Sequence, residues 1–171
     1  MKLLELVEKR FSARSFTDKE VEQEKLDYIL EVARLAPSAC NLQPWAFLVI
    51  KSKEACEDLR TCYDRDWFKT APMYIVVCGN HQTSWKRSNF DGKDHCDVDA
   101  AIAAEHIALA VEEEGLGACW VCNFDPERCK KVLKLPQGIE PIVILPIGYV
   151  APDFKKVEKK RKATEEVVLY L

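Results

Sequence analysis

Basic side chains cluster at two distant places in the sequence, where their chemistry suits an anion. Near the N-terminus, the stretch KRFSARSF alternates Arg10, Ser12 and Arg14, and residues 159–162 read KKRK. Arginine presents a planar fork of donors that matches phosphate, and a serine hydroxyl adds another donor. Convergence of the two clusters would therefore build a phosphate site. The alternative is that each cluster forms a separate solvent-exposed charged surface, as most runs of charged residues do.

A second stretch with polar side chains is APSACNLQPW, residues 36–45. It follows the end of a predicted helix and contains Ser38, Asn41 and Gln43. The amides of Asn41 and Gln43 offer both donors and acceptors, which suits a heterocycle that presents both kinds of group. The alternative is an ordinary turn, in which Pro, Ser and Asn are common.

Cys119 and Cys122 form a C-x-x-C motif within GLGACWVCNFD. A thioredoxin-type motif opens a helix after a strand, whereas this one lies on a predicted strand, where side chains three apart face opposite sides. A zinc site needs a second pair of ligands, and the nearby His95 and Cys96 have an irregular spacing. We therefore predict no metal here. A thiol or metal protein that uses Cys119 and Cys122 stays as an alternative.

Composition excludes several classes of function. The chain has 171 residues, a net charge of -3 and eight cysteines. This balance favours neither nucleic acid nor an anionic membrane as a partner, and no run of about 18 apolar residues predicts a membrane span. No secretory signal is recognisable at the N-terminus, so we expect a cytoplasmic protein whose cysteines are reduced. The length predicts a single domain, residues 1–171.

Helical and strand patterns alternate without a regular βαβ order, which predicts an α+β fold with a mixed sheet between helices. A capping box at Thr17 and Glu20 predicts the start of the second helix. Residues 80–97 form a long polar loop, and the apolar C-terminal strand needs a sheet edge that a second subunit could supply. The remaining predicted helices lie in residues 1–8, 53–65, 98–115 and 127–135, and the predicted strands in 45–52, 72–79, 118–124, 140–150 and 165–171.

Five motifs in order resemble the nitroreductase family of FMN-dependent oxidoreductases, in its short single-domain branch. The resemblance extends from about Leu3 to Val168. The motifs are R-x-S-x-R at 10–14, A-P-S-x-x-N-x-Q-P-W at 36–45, G-L-G-x-x-W at 115–120, P-x-G-x-x-P-x-x-x-x-P-x-G-Y at 136–149 and R-K-x-x-E-E-V-V at 161–168.

This resemblance implies an α+β homodimer with a mixed, mainly antiparallel sheet sandwiched by helices. Two FMN molecules, bound tightly but not covalently, would lie at the subunit interface. Residues 155–171 would form a basic connector and a terminal strand that is exchanged between subunits and packs on the partner. Many relatives have proline where this chain has Ala163. The alanine leaves this tail less rigid.

The resemblance also implies roles for individual residues. The phosphate and ribityl end of FMN would lie against the two basic clusters, and residues 37–41 would come from the partner subunit. The isoalloxazine would lie beside residues 120–123, with a backbone N–H near Cys122 or Asn123 donating to flavin N5. The expected cofactor contacts are Arg10, Phe11, Ser12, Arg14, Pro37, Ser38, Ala39, Asn41, Trp120, Val121, Cys122, Asn123, Lys160 and Arg161.

Three of these positions depart from the family pattern. Phe11 stands where many relatives have a second arginine, and Cys122 and Asn123 replace the Glu-Gly of larger relatives. The implied reaction is a ping-pong transfer of hydride from NADH or NADPH, through N5, to a small nitroaromatic, quinone or enone. No side chain need act as catalyst, since the cofactor carries the chemistry. Trp85 and Arg87 would help to cover the pocket. A non-redox flavin- or ligand-binding member of the same fold is the alternative.

Overall fold

The computed structural model describes residues 2–171, which form seven α-helices and four β-strands. No helix in this described part combines the length and apolar character that crossing a membrane requires. The helices are α1 Leu3–Lys9, α2 Gln23–Arg34, α3 Lys53–Arg60, α4 Asp66–Lys69, α5 Cys96–Glu113, α6 Pro126–Val132 and α7 Thr164–Val167. The strands are β1 Trp45–Ile50, β2 Met73–Asn80, β3 Gly117–Ala118 and β4 Ile139–Gly148.

The four strands form one sheet in the order β1-β2-β4-β3, and each ladder is antiparallel. A single parallel bridge, from Ser12 to Ala118, attaches the N-terminal segment to the edge of the sheet. The continuous apolar runs of β2 and β4 lie at the centre of the sheet, as burial on both faces requires. The α+β prediction is confirmed.

Helices cover both faces of the sheet. Alternate residues of β2 point to opposite sides, so Ile75 and Val77 pack in one cluster while Tyr74 and Val76 pack in another. The first cluster includes buried residues of α2 and α5, and the second includes buried residues of α3, α4 and α6. The arrangement agrees with the expected sheet between helical layers.

The predicted start of the second helix is wrong. Helix α2 begins at Gln23, with Glu22 as its N-cap, rather than at the box of Thr17 and Glu20. The backbone N–H of Thr17 donates instead to Tyr149 O over 2.8 Å, and Phe16 bridges Val150. Pairing with the chain beyond β4 therefore keeps this segment extended and outcompetes local capping.

The predicted strand over residues 118–124 is much shorter than expected. Strand β3 ends at Ala118, and only Val121 returns to the sheet, through a bridge to Ile144. Its N–H donates to Ile144 O and its carbonyl accepts from Ile144 N, both over 3.0 Å. The intervening chain forms an irregular turn.

The predicted terminal strand is also wrong for this chain alone. Residues Thr164–Val167 form a helical turn, and residues 168–171 have no strand assignment. Val168, Leu169, Tyr170 and Leu171 are all exposed. A strand requires a neighbouring strand to pair with, and the described residues supply none for this tail, so exchange between subunits stays a prediction.

Candidate functional site

The two basic clusters meet at one pocket, although nearly 150 residues separate them in sequence. The cavity volume is about 190 Å³. Arg10, Lys159 and Arg161 also line an adjoining hollow of about 410 Å³, together with Val7 and Glu8. The first pocket is lined by Arg10, Phe11, Ser12, Arg14, Val157, Glu158, Lys159, Lys160 and Arg161.

The N-terminal cluster is positioned by the edge of the sheet. Helix α1 ends at Lys9, and the extended chain after it lies against β3, where Ala13 N donates to Ala118 O over 2.9 Å. A Cβ on Gly117 would lie 2.7 Å from the Cβ of Ala13 and 2.5 Å from a methyl of Val150. Gly117 therefore permits the close approach that fixes Ser12 and its flanking arginines beside the 119–123 turn.

Lys159 attaches the C-terminal connector to this cluster. Its ammonium donates to the carbonyl oxygens of Arg10 over 2.6 Å and of Val7 over 3.3 Å, and also to that of Glu8. The last carbonyls of a helix have no partner within the helix and carry partial negative charge, so a cation is favoured there. Lys159 thus caps α1, while its neighbours Lys160 and Arg161 line the pocket.

The electrostatics of the pocket favour an anion. Burial, together with the nearby positive charges of Arg10 and Arg161, lowers the pKa of Lys159 below its ordinary value. The Nε atom of Arg10 is buried, and no residue in the described part of the chain accepts a hydrogen bond from it. A bound anion would accept from the arginines and reduce the repulsion among the cations.

The ring of Phe11 belongs to the core as well as to the pocket wall. Phe11 is 9% exposed. Its ring stacks on Phe154 with centroids 5.9 Å apart, and the ammonium of Lys156 lies 4.0 Å from its centroid. Phe11 therefore has a structural explanation at the position where many relatives have arginine.

The segment that contains Ser38 and Asn41 lies outside this pocket. None of the predicted contacts Pro37, Ser38, Ala39 and Asn41 is among the residues that line it. The structure therefore brings together Arg10, Phe11, Ser12, Arg14, Lys160 and Arg161, but it does not add the 37–41 segment of the same chain.

The 38–43 turn is held in an unusual conformation. Cys40, Asn41 and Gln43 have φ values of 50°, 55° and 48°. Such left-handed geometry is uncommon for residues other than glycine and persists where the surroundings enforce it. Here Ser38 Oγ accepts from Gln43 N over 2.9 Å, and Gln43 Nε2 donates to Asn41 Oδ1 over 3.1 Å.

A buried carboxylate holds the start of this turn. Asp99 of α5 is 2% exposed, and its Oδ1 accepts from Ala39 N over 2.9 Å. Its other oxygen, Oδ2, has no hydrogen-bond partner among residues 2–171. Asp99 was not among the residues predicted from the sequence. The available signal was an acidic residue among the alanines of the helix predicted over residues 98–115.

One residue separates residues 120–123 from the end of β3, whose Ala118 pairs with Ser12, so they lie near the Ser12 segment at the sheet edge. Trp120 is half-buried with a buried, unpartnered Nε1, whereas Cys122 and Asn123 are exposed. The bonds of Val121 to Ile144 fix the backbone on either side. The turn therefore offers exposed side chains and backbone groups to a ligand that lies over it.

The geometry disfavours thiol or metal chemistry at the C-x-x-C motif. Cys119 is buried, Cys122 is exposed, and both are free thiols. Burial raises the pKa of the Cys119 thiol, whereas reactive cysteines need a lowered pKa.

The chain is similar over most of its length to proteins of one family. The profile described as "Nitroreductase family" matches residues 7–62 and 57–149. A nitroreductase family protein from Clostridium difficile 630 has a solved structure with a TM-score of 0.91 and 38% identity, covering 99% of this chain and 98% of that one. An FMN-dependent nitroreductase from Clostridium difficile R20291 gives a TM-score of 0.83 and 31% identity, covering 98% of both chains.

Two curated relatives are more distant. An FMN reductase [NAD(P)H] of Bacillus subtilis is 28% identical over 92% of this chain and 68% of its own length. An iodotyrosine deiodinase of Thermotoga neapolitana is 28% identical over 99% of this chain and 98% of its own length. The family match, which spans most of the chain, and the similarity of fold agree with each other, and this chain belongs to the nitroreductase family.

Proposed function

We propose that this protein is an FMN-dependent oxidoreductase that uses NADH or NADPH to reduce a small organic acceptor. The observation that carries the proposal is the convergence of Arg10, Ser12 and Arg14 with Lys160 and Arg161 around one pocket. The names of two relatives, an FMN-dependent nitroreductase and an FMN reductase [NAD(P)H], support the choice of cofactor and electron donor.

The cationic pocket fits the phosphate of FMN. Its unpartnered Arg10 Nε and its crowded cations suit a dianion. Its volume of about 190 Å³ is below the roughly 300 Å³ at which pockets for whole small molecules begin. The pocket therefore suits one end of the cofactor, and the ring system would extend towards the 120–123 turn.

A second copy of the chain would complete the site. The 38–43 turn is preformed but stands apart from the cationic pocket of its own chain. In a homodimer, Pro37, Ser38, Ala39 and Asn41 of one copy would lie against the flavin held by the other. The exposed apolar residues Leu169 and Tyr170 at the C-terminus would pack on the partner in the same assembly.

When bound, FMN would supply ping-pong redox chemistry at N5, taking hydride from NAD(P)H and passing reducing equivalents to the acceptor. The chain would orient the ring and supply a backbone N–H near Cys122 or Asn123. Arg10, Arg14 and Arg161 would neutralise the phosphate. No titratable side chain is required as a catalyst, since the protein binds and orients a cofactor that carries the chemistry.

The acceptor that we propose is a nitroaromatic, a quinone or an enone. One relative is named an iodotyrosine deiodinase, so an iodinated phenol is the second candidate. The rival function is a flavin-binding member of the fold without NAD(P)H turnover.

The test starts with the absorbance spectrum of the purified protein. We expect flavin bands, release of FMN on denaturation and oxidation of NADH or NADPH that depends on an added acceptor. A panel of one nitroaromatic, one quinone, one enone and one iodinated phenol identifies the acceptor class. A yellow protein that oxidises neither nucleotide with any acceptor would favour the non-redox rival.

A double variant tests the phosphate pocket separately. Arg14→Ala combined with Arg161→Ala should leave the purified protein colourless, because two of the three arginines that would hold the phosphate are lost. Lys162→Ala is the matched control, since it removes one charge from the same basic run but does not line the pocket. Retention of stoichiometric FMN by the double variant would refute the phosphate assignment.

A further inference from the structure

A cluster of metal-ligating side chains lies at the base of the 81–95 loop. Ligand atoms of His81, Cys96 and Asp97 all lie within 4.8 Å of one another. His81 directly follows β2, while Cys96 and Asp97 open α5. Glu140, near the start of β4, places a carboxylate oxygen 3.7 Å from His81 Nε2. His81, Cys96 and Asp97 thus contribute one nitrogen, one sulfur and one carboxylate to a common cluster, and Glu140 adds a second carboxylate beside the histidine.

The imidazole of His81 is oriented for coordination. Asp94 Oδ2 lies 3.2 Å from His81 Nδ1. Asp94 is itself fixed, because its Oδ1 accepts from Ser84 Oγ over 2.8 Å and from Cys96 N over 2.8 Å. A carboxylate at Nδ1 is the usual partner of a metal-bound histidine, since it fixes the tautomer that presents Nε2 to the ion.

The distances at Nε2 match a bridging cation better than a hydrogen bond. Asp97 Oδ1 lies 3.6 Å and Glu140 Oε2 lies 3.7 Å from His81 Nε2. N–H···O bonds are about 2.7–3.2 Å long. Ligand atoms around a tetrahedral zinc ion, with bonds of about 2.0–2.3 Å, lie roughly 3.3–3.7 Å apart.

The sulfur of Cys96 is the buried member of this cluster of ligands. Cys96 is fully buried, and its Sγ makes no hydrogen bond among those formed within residues 2–171. A Cβ on Gly79 would lie 2.5 Å from this sulfur, so the glycine leaves the room that the thiol needs. A shift of roughly 1 Å would bring Sγ to coordination distance.

We propose that His81, Cys96, Asp97 and Glu140 form a structural site for a divalent transition metal of the zinc type. Imidazole, thiolate and carboxylate together suit such an ion, and four protein ligands describe a closed, structural site. Burial and the nearby carboxylates raise the pKa of the Cys96 thiol to about 12, so the metal ion must displace its proton, which passes to solvent on binding. Lys130 contacts the other Glu140 oxygen at 3.1 Å and offsets part of the negative charge.

This site is independent of the flavin pocket, and its role is to join the end of β2, the start of α5 and the start of β4. From the sequence, His95 was the histidine considered together with Cys96. His95 packs edge-on against Trp85 with ring centroids 4.9 Å apart, and it is His81, fifteen residues before Cys96, that faces the cluster.

The test is a Co²⁺ titration of the tag-free holoprotein after treatment with a chelator, followed by difference absorbance against the same sample without metal. We expect one equivalent to bind with a near-ultraviolet charge-transfer band from thiolate to cobalt. Cys96→Ser should remove that band. His81→Gln and Asp97→Asn should each weaken binding about tenfold or more.

His106→Gln is the matched control, because it removes a histidine from the middle of α5 and should leave Co²⁺ binding unchanged. Asp97 is exposed, so Asp97→Asn should fold even if Cys96→Ser does not. The proposal is overturned by the absence of saturable binding, by binding without the charge-transfer band, or by equal affinity in wild type, His81→Gln and Asp97→Asn.

Discussion

The ammonium of Lys159 donates a hydrogen bond to the carbonyl oxygen of Arg10 over 2.6 Å, across 149 residues of sequence. This contact places the basic connector beside the N-terminal arginines. The ammonium of Lys159 also donates hydrogen bonds to backbone carbonyl oxygens in the last turn of α1. The positive charge of the pocket wall is therefore presented by Arg10, Arg14, Lys160 and Arg161, and Lys159 holds the two chain segments together.

Lys159→Met should separate these two segments. The loss of the capping hydrogen bonds should lower the free energy of unfolding by about 1 kcal/mol. The affinity for FMN should fall about tenfold, because the basic connector is no longer held beside the N-terminal arginines. A tenfold change in affinity corresponds to roughly 1.4 kcal/mol of binding free energy. Urea denaturation and flavin titration measure the two effects. Lys162→Met is the control, and equal FMN affinities for the two variants would contradict the positioning role.

Restoring the arginine that many relatives have should not improve cofactor binding. Phe11→Arg would place a guanidinium against Phe154 and beside the ammonium of Lys156. Loss of the buried ring and burial of a charge should lower the free energy of unfolding by about 2–4 kcal/mol. Denaturation and FMN titration provide the measurement, and Phe11→Leu separates the lost ring from the added charge. Tighter FMN binding by Phe11→Arg would show that our interpretation of Phe11 is wrong.

The exposed tail should contribute to assembly. Leu169 and Tyr170 are 83% and 93% exposed in the single chain, which is unusual for large apolar side chains. If the proposed homodimer forms, deletion of residues 168–171 should shift the protein from dimer towards monomer and reduce its flavin content. Light scattering coupled to size exclusion measures the mass, and Lys162→Ala serves as a control with an intact tail. A truncated protein that stays fully dimeric with full flavin content would exclude this role.

The sequence predicted the elements whose burial is periodic or continuous. Strands β1, β2 and β4 and helix α5 lie close to their expected positions because each buries an apolar surface that is visible in the local pattern. The capping box at Thr17 and Glu20 misled the prediction, since the contact with Tyr149 is made 132 residues away. Local patterns do not contain such pairings.

The residues of the candidate site also divide into those that local sequence indicates and those that only long-range contacts reveal. That Arg10, Ser12, Arg14 and Arg161 line one pocket was expected from residue type and from the resemblance, because phosphate sites are built from such side chains, and their role in binding FMN stays a prediction. Asp99 was not, since its importance comes from a backbone N–H in another segment. Residues that act through tertiary contacts leave little trace in sequence spacing.

Glu22 should make stability depend on acid pH. The hydroxyl of Tyr149 donates to Glu22 Oε2 over 2.7 Å, and this bond, with help from Lys19, lowers the pKa of Glu22 from 4.5 to about 2. The lowered pKa means that the unfolded chain binds the proton more readily between these values. The contribution of Glu22 to stability is therefore complete above pH 4.5 and is lost as the pH falls to about 2.

Thermal unfolding of wild type and Glu22→Gln between neutral and acid pH tests this contribution of Glu22 to stability. The wild type should have the higher melting temperature above pH 4.5, and the two curves should converge as the pH approaches about 2. Tyr149→Phe should reduce the same difference, because it removes the largest cause of the shift. Parallel curves at every pH would rule out Glu22 as the titrating group.

Asp99 should act as a positioning residue for the 38–43 turn. Asp99→Ala removes the buried acceptor of the half-buried Ala39 N–H and should lower the free energy of unfolding by about 1–3 kcal/mol. Because Cys40 and Asn41 are held at positive φ, loss of this anchor should release the turn and speed amide exchange at residues 39–41. Asp99→Asn keeps an acceptor oxygen and should restore much of the protection. Asp27→Ala, on the exposed face of α2, is the control for a lost carboxylate. Unchanged exchange at residues 39–41 in Asp99→Ala would show that the left-handed turn needs no help from α5.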